Sequence, residues 1–194
     1  IGNISPEQLN GLARPWYEKL IEGATGQGRF GDLVEQNRFY AQLGTADRFD
    51  LVTLEEEWFR ECAAAQHVNG RAPRLASRAD IEARCAKGAL GLFSRDRLVG
   101  AFEQGHEEDA NLVAEVLLEN LAAKVTAAHS LRAVLHALKI DRSEIDYVIS
   151  CSEEAVGDRY NRGGGNLAKA IAEEVGCGNA SGSDTKAFCA GPMY

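Results

Sequence analysis

The most regular pattern of hydrophobic and polar positions in this chain lies between Asp109 and Leu138. Val113, Leu117, Leu121, Val125, Ala128, Leu131, Leu135 and Leu138 recur at three- and four-residue steps, which predicts a long amphipathic helix. Glu107, Glu108 and Asp109 precede it and His136 and Lys139 close it, the charge order that a helix dipole favours. Just upstream, "ALGLF" and "LVGAF" flank the turn "SRDR", a hairpin signal. Downstream, the apolar run "IDYVIS" (145–150) predicts a buried strand. Leu167, Ile171 and Val175 then mark a further helix, with Gly176 as its stop. The stretch "NASGSDTKAF" (179–188) has weak strand propensity, and its small residues suit a place where backbones pack closely. A new helix is expected from about Cys189 or Ala190. Strand, helix, strand, helix implies a layered α/β core with mainly parallel strands.

Residues 1–88 are less regular and are expected to form a separate, mostly helical N-terminal region, with 89–194 as the α/β region. "SPEQ" (5–8) is a capping box with Ser5 as N-cap and Pro6 at the first helical position. Pro15 ends that helix and starts another carrying Trp16, Leu20 and Ile21, and "GATGQGRFG" (23–31) has loop composition. Arg48–Thr53 is expected as a short strand. Leu54–His67 is expected as a helix with Trp58, Phe59 and Cys62 on one side, and Ser77 as the cap of a helix to about Lys87.

The composition adds constraints. A chain of 194 residues with 45% hydrophobic and 26% charged residues is an ordinary globular chain with a real core. It has no run long enough to predict a transmembrane segment or signal peptide. Its first residue is Ile1, so a fragment or processed form is expected. The net charge of -8 and pI of about 5.1 argue against nucleic acid or an anionic membrane as the main partner. The five cysteines, Cys62, Cys85, Cys151, Cys177 and Cys189, form no CxxC pair. A disulfide scaffold or zinc site is therefore not expected, and a reducing cytoplasm is.

Three features are candidates for chemistry. In "NRGGGNLAKA" (161–170), Gly163, Gly165 and Ala168 fit G-x-G-x-x-A ahead of a helix. The preceding strand ends about a dozen residues earlier, too far for the tight turn of a dinucleotide site. The loop, with Gly163, Gly164, Gly165 and Asn166, is either a flexible connection or a segment passing close to a ligand or partner. Cys151 stands at a strand's carboxyl end, where ligands bind in open α/β sheets, and is a site-lining candidate. Cys62 and Cys85 are expected as small core residues, and Cys177 has no evident task.

Cys189 precedes Ala190, Gly191 and Pro192, and Pro192 suits a first helical turn. A thiol there meets free N–H groups and the positive helix end. The dipole supplies about 0.3–1 kcal/mol, up to ~2 when buried, less than full activation requires at about 1.36 kcal/mol per pKa unit. An efficient nucleophile at this place needs a neighbouring base or cation. His67, His106, His129 and His136 qualify by residue type only, and no Ser-His-Asp pattern, HExxH or G-x-S-x-G occurs.

The run "LRAVLHALKIDRSEIDYVIS", followed by "GGGNLAKAIAEEVGCGNASGSDTKAFCAGPMY", resembles the N-terminal half of a thiolase fold of the type III ketoacyl-carrier-protein synthase kind. There a small-residue strand runs into a nucleophilic Cys-Ser/Ala-Gly, here Cys189-Ala190-Gly191. More narrowly, "YVISCSEEAVGDRYNRGGGNLAKAIAEEVGC", "ASGSDTKAFCAGP", "IGNISPEQL" and "RPWYEK" resemble the beta subunits of component C of glycine/sarcosine/betaine reductase complexes. The resemblance implies a thiolase-like half that follows a family-specific N-terminal region. It implies conversion of a carboxymethyl group, held as a selenoether on a selenoprotein component A, into an enzyme-bound acetyl thioester that phosphate releases as acetyl phosphate. Cys189 would be the acyl-accepting thiol, its backbone N–H a donor to an oxyanion, and phosphate a co-substrate, with no cofactor or metal in this chain. A second thiolase-like subunit is the implied partner, in a homo- or hetero-oligomer. Thiolase relatives carry their catalytic His, Asn or second Cys in the C-terminal half, so a chain stopping at Tyr194 is expected to be inactive by itself. A coenzyme A or carrier-protein acyltransferase and a non-catalytic scaffold subunit remain the alternatives.

Overall fold

The computed structural model describes residues 34–62, 71–104, 113–151 and 166–185. The expected capping box at Ser5, the break at Pro15 and the 23–31 loop lie outside them. All elements described here belong to the compact unit that begins at Gln36.

Helix α1 (Gln36–Ala46) leads into a sharp reversal. There the Asp47 carboxylate accepts the N–H of Phe49 at 2.9 Å and of Val52 at 2.8 Å. Because these bonds hold 47–52 as a turn, strand β1 begins at Val52 rather than Arg48 and extends to Glu55. β1 is buried along its whole length and pairs on both sides, parallel with β2 (Arg74–Ala76) and antiparallel with β4 (Arg97–Phe102). Leu54 pairs with both neighbours and Glu55 with Ala76 of β2, so the helix expected from Leu54 starts only at Glu56. As α2 it runs Glu56–Glu61, with Trp58 buried and Phe59 and Cys62 packed on the same cluster. The rest of the expected span, to His67, lies outside the described residues.

Helix α3 (Arg78–Ala86) is capped as its sequence predicts, the Ser77 side chain accepting the N–H of Asp80. The predicted hairpin is present as β3 (Leu90–Ser94) and β4, turning at Arg95–Asp96 with a register shift at Leu92/Phe93. The resulting sheet has the order β2-β1-β4-β3 and is mixed, with one parallel and two antiparallel pairings. It takes strands from both sides of residue 88, and the mainly parallel pattern expected from the sequence does not describe it.

Helix α4 (Ala114–Leu138) realises the long periodic segment. Leu117, Val125, Ala128 and Leu135 are buried as expected, whereas Val113 at 37% and Leu138 at 63% exposure mark its uncovered ends. The same helix also buries Asn120 and Lys124. Lys124 Nζ donates to the Ala46 carbonyl at 2.5 Å, placing a cation at the C-terminus of α1. Burial pushes the Lys124 pKa down, opposed by Glu174 and Asp47. α4 ends with the N–H of Ile140 on the Leu135 carbonyl and that of Lys139 on the His136 carbonyl, a Schellman closure. Its left-handed residue is Lys139, at φ 56°. A side chain in that region costs roughly 1–2 kcal/mol, so Lys139→Gly should stabilise the protein by about 0.5–1 kcal/mol. An unchanged or lower urea midpoint for the variant would contradict this.

After a 3₁₀ turn (Arg142–Glu144) come β5 (Tyr147–Cys151), α5 (Asn166–Val175) and β6 (Ser181–Thr185), with β5 and β6 paired in parallel. Leu167, Ala168, Ile171, Ala172 and Val175 of α5 pack with Ala128 and Leu135 of α4 in one cluster. Gly176, at φ +90°, closes α5. Its N–H reaches the Glu173 carbonyl and that of Cys177 the Ala172 carbonyl, so the predicted stop is a second Schellman turn. β5 is not the buried strand expected: Tyr147 is 53% and Ile149 54% exposed. Val148 packs toward the α4–α5 cluster and Ser150 is buried. The strand is therefore covered on one face.

Candidate functional site

The candidate site lies at the carboxyl ends of β5 and β6. The two strands run in register, with Ser150 opposite Asp184 and Cys151 opposite Thr185. Parallel partners project to the same side, so Gly182 and Asp184 share the α5 side with Val148 and Ser150. Gly182 is required there by contact: a Cβ would lie 2.9 Å from Ala168 Cβ and 3.1 Å from the Lys169 nitrogen. The expectation that small residues mark close backbone packing is met at this position.

Asp184 organises the site. Its Oδ1 accepts the Ala168 N–H at 2.9 Å and its Oδ2 the Leu167 N–H at 3.2 Å. The Ser150 hydroxyl donates to the same Oδ1 at 2.6 Å. The first turn of α5 thus receives a carboxylate from another strand, satisfying amides that no helix can satisfy internally. The negative charge also meets the positive end of the helix dipole. This bears on the glycine-rich signal directly. The amides that a G-x-G-x-x-A loop would turn toward a pyrophosphate are already bonded to Asp184, which argues against a nucleotide phosphate at this helix end.

Of the residues singled out from the sequence, Cys151 is exposed at the end of β5 as a free thiol. Asn166 is the first residue of α5. Gly163, Gly164, Gly165 and Cys189 lie outside the described residues. The structure therefore brings together the end of β5, the start of α5 and the end of β6, each adjoining a candidate in sequence. Asp184 and Ser150 were missed by sequence reasoning. The available signal was a lone charged residue in a small-residue strand, at a strand end that would otherwise have to solvate it.

The other cysteines sort by packing. Cys177 is fully buried among Leu135, Leu167 and Ile171, which supplies the task its sequence did not reveal. Cys62 and Cys85 are only half-buried, and so are at the margin of the core rather than within it. Burial raises all three thiol pKa values, with Glu61 adding to the effect at Cys62 and Glu103 at Cys85. None of these is an activated nucleophile. His129 is half-buried and His136 exposed on α4, while His67 and His106 lie outside the described residues. Among the described residues no group of three or more His, Cys, Asp or Glu side chains is placed to hold a metal ion. No described helix is long and apolar enough to cross a membrane.

Compared with known proteins, the chain is 39% identical, over an alignment of 204 positions that takes in all of it, to "Glycine/sarcosine/betaine reductase complex component C subunit beta" of Peptoclostridium acidaminophilum. It spans 40% of that relative's length. The resemblance to component C beta subunits therefore holds along the whole chain. No protein-family model matches it, and no solved structure does.

Proposed function

We infer that this chain, a relative of the component C beta subunit over its full length, is the acyl-accepting part of such a subunit and that Cys189 is its nucleophile. The relationship along the whole chain is the observation that carries this reading. In it, a carboxymethyl selenoether on a selenoprotein partner is the source of an acetyl group held on Cys189. The C–Se bond breaks as a thiol of the selenoprotein pairs with the selenium and supplies the two electrons and a proton that make the methyl group. One carboxylate oxygen leaves as water as the C–S bond to Cys189 forms. A phosphate oxygen then attacks the thioester carbonyl; the new C–O bond forms, the C–S bond breaks, and acetyl phosphate leaves with the Cys189 thiolate restored. Backbone N–H donors at the nucleophile stabilise the oxyanion between these events. Phosphate is the co-substrate and no cofactor in this chain is required.

Supporting geometry comes from the β5–α5–β6 unit. Its parallel strands end where ligands sit in α/β sheets, with Cys151 exposed there. β6 leads along the sequence from Asp184 and Thr185 into Cys189. Parallel sheets are normally covered on both faces, and the uncovered Tyr147–Ile149 face fits a thiolase-like half completed by a further layer of a longer polypeptide. A second thiolase-like subunit and the selenoprotein are the proposed partners, in the cytoplasm.

The test uses the full-length subunit in its complex, incubated with labelled acetyl phosphate and mapped by mass spectrometry. Label is expected on Cys189, and Cys189→Ser should lower acetyl phosphate formation by at least about 10³-fold. Label confined to a cysteine of the other subunit, with Cys189→Ser fully active, would reassign this chain as a scaffold.

A further inference from the structure

We infer that Asp184 is a positioning residue for this acyl-transfer site, an inference that rests on Cys189 being the acyl acceptor. One carboxylate joins three chain segments at one place: the Ser150 hydroxyl of β5, the Leu167 and Ala168 amides of α5, and Asp184's own strand β6. Each segment adjoins a residue with a proposed task. Ser150 directly precedes Cys151, Leu167 follows Asn166 and the triple glycine, and Asp184 stands five residues before Cys189. Bonds from amides and a hydroxyl to an ionised carboxylate are short and about twice as strong as neutral ones. A single side chain therefore fixes where β6 ends relative to the other two segments. Gly182 makes the arrangement close, since its lack of a Cβ lets β6 approach Ala168 and Lys169. Asp184 also occupies the positive end of α5, so the anionic co-substrate is bound elsewhere and Asp184 contributes to the rate without contributing to phosphate affinity.

The experiment compares Asp184→Asn, Asp184→Ala, Ser150→Ala and Ser150→Thr in the full-length two-subunit component, alongside Cys189→Ser. Misplacement by an ångström can cost about 10²-fold in rate. Asp184→Ala should lower kcat by about 10- to 100-fold with an unchanged KM for phosphate, and Asp184→Asn, which keeps one acceptor oxygen, by less. Ser150→Ala should lower kcat by about threefold to tenfold and Ser150→Thr, which keeps the hydroxyl, should restore it. If Asp184→Ala does not fold, the Asn variant and the Ser150 pair decide. A kcat within twofold of the parent for Asp184→Asn and Ser150→Ala overturns the inference. So does a rate loss that tracks thermal stability across the variants, or a phosphate KM that changes when the carboxylate is removed. Activity surviving in Cys189→Ser is a separate outcome, which removes the nucleophile reading and with it the task assigned to Asp184.

Discussion

Glu174→Ala is expected to destabilise the folded chain by about 3 kcal/mol, at the lower end of the cost of breaking a buried ion pair. The Glu174 side chain is 4% exposed and is held by Arg132 of α4 at 3.1 Å and by Arg48, after α1, at 3.8 Å. The Arg132 guanidinium also bonds the Glu174 backbone carbonyl. Removing the carboxylate leaves two guanidinium groups and the buried Lys124 without their shared counter-charge. Both arginines are partly solvated, which limits the loss. Glu174→Gln, which keeps the shape and an acceptor oxygen, should cost about 1.5–2 kcal/mol. In a chain of this size about 3 kcal/mol corresponds to a fall in Tm of roughly 6–12 °C. A Tm within about 2 °C of the parent would refute the assignment.

The same cluster gives stability a pH dependence. The Lys124 pKa lies below the ordinary lysine value of 10.5, first because of burial, with Glu174 and Asp47 raising it and Arg48 and Arg71 lowering it. Between the depressed value and 10.5 the unfolded chain binds more protons than the folded one, so Lys124 makes stability rise with pH across that window. Without Glu174 the lysine pKa falls further and the rise begins at lower pH. Urea titrations of the parent and Glu174→Ala at a series of alkaline pH values check the direction.

The second large effect is expected at Gly182. The Cβ of Gly182→Ala would press on Ala168 Cβ and on the backbone nitrogen of Lys169, at 2.9 and 3.1 Å, and a helix backbone does not yield as a flexible side chain does. Overpacking of this kind costs typically about 1–3 kcal/mol. Alanine should fall near the low end, and valine, with two further methyl groups, at about 3 kcal/mol or above. Any outward shift of α5 also stretches the Ala168 amide away from Asp184, so the two variants should weaken the site in the same order in which they weaken the fold. Chemical denaturation checks this, and a valine variant as stable as the parent would show that β6 and α5 have room to spare.

What could be read in advance followed how local the determining forces are. The Ser77 cap, the Gly176 stop, the hairpin about "SRDR" and the body of α4 depend on neighbours within a few residues, and each is present. The strand expected at Arg48–Thr53 is present but displaced to Val52–Glu55, because a four-residue strand is defined by partners at Arg74–Ala76 and Gly100–Phe102, and Leu54–Glu55 by themselves also suit a helix. Asn120 and Lys124 look like solvent positions on an amphipathic helix, yet Lys124 finds its acceptor at Ala46, far away in sequence. IDYVIS was misjudged for the converse reason. Its apolar content matches burial on both faces, and the described structure covers one. The place of Cys151 at a strand end was legible, and β5 does end there. Asp184 was not, because its value depends on the start of α5 and the end of β5 meeting it. Cys189, whose proposed role comes from resemblance, and the triple glycine, read from its composition as a loop, lie outside the described residues.

Helix α4 has one further consequence. Its 25 residues span about 37 Å at 1.5 Å each, and along that length it serves three clusters in turn. Ala114 and Leu117 complete the core of the four-stranded sheet, Val125 meets Leu43 and Ala46 of α1, and Ala128 and Leu135 meet α5. Neither sheet can melt while the other stays intact without stripping half of this helix of its apolar cover. Loss of the β5–β6 pair is thereby tied energetically to loss of the β1-centred sheet, and the two behave as one cooperative foldon. A lesion beside Trp58 is felt, through one rigid rod, at the strand ends that carry the proposed chemistry.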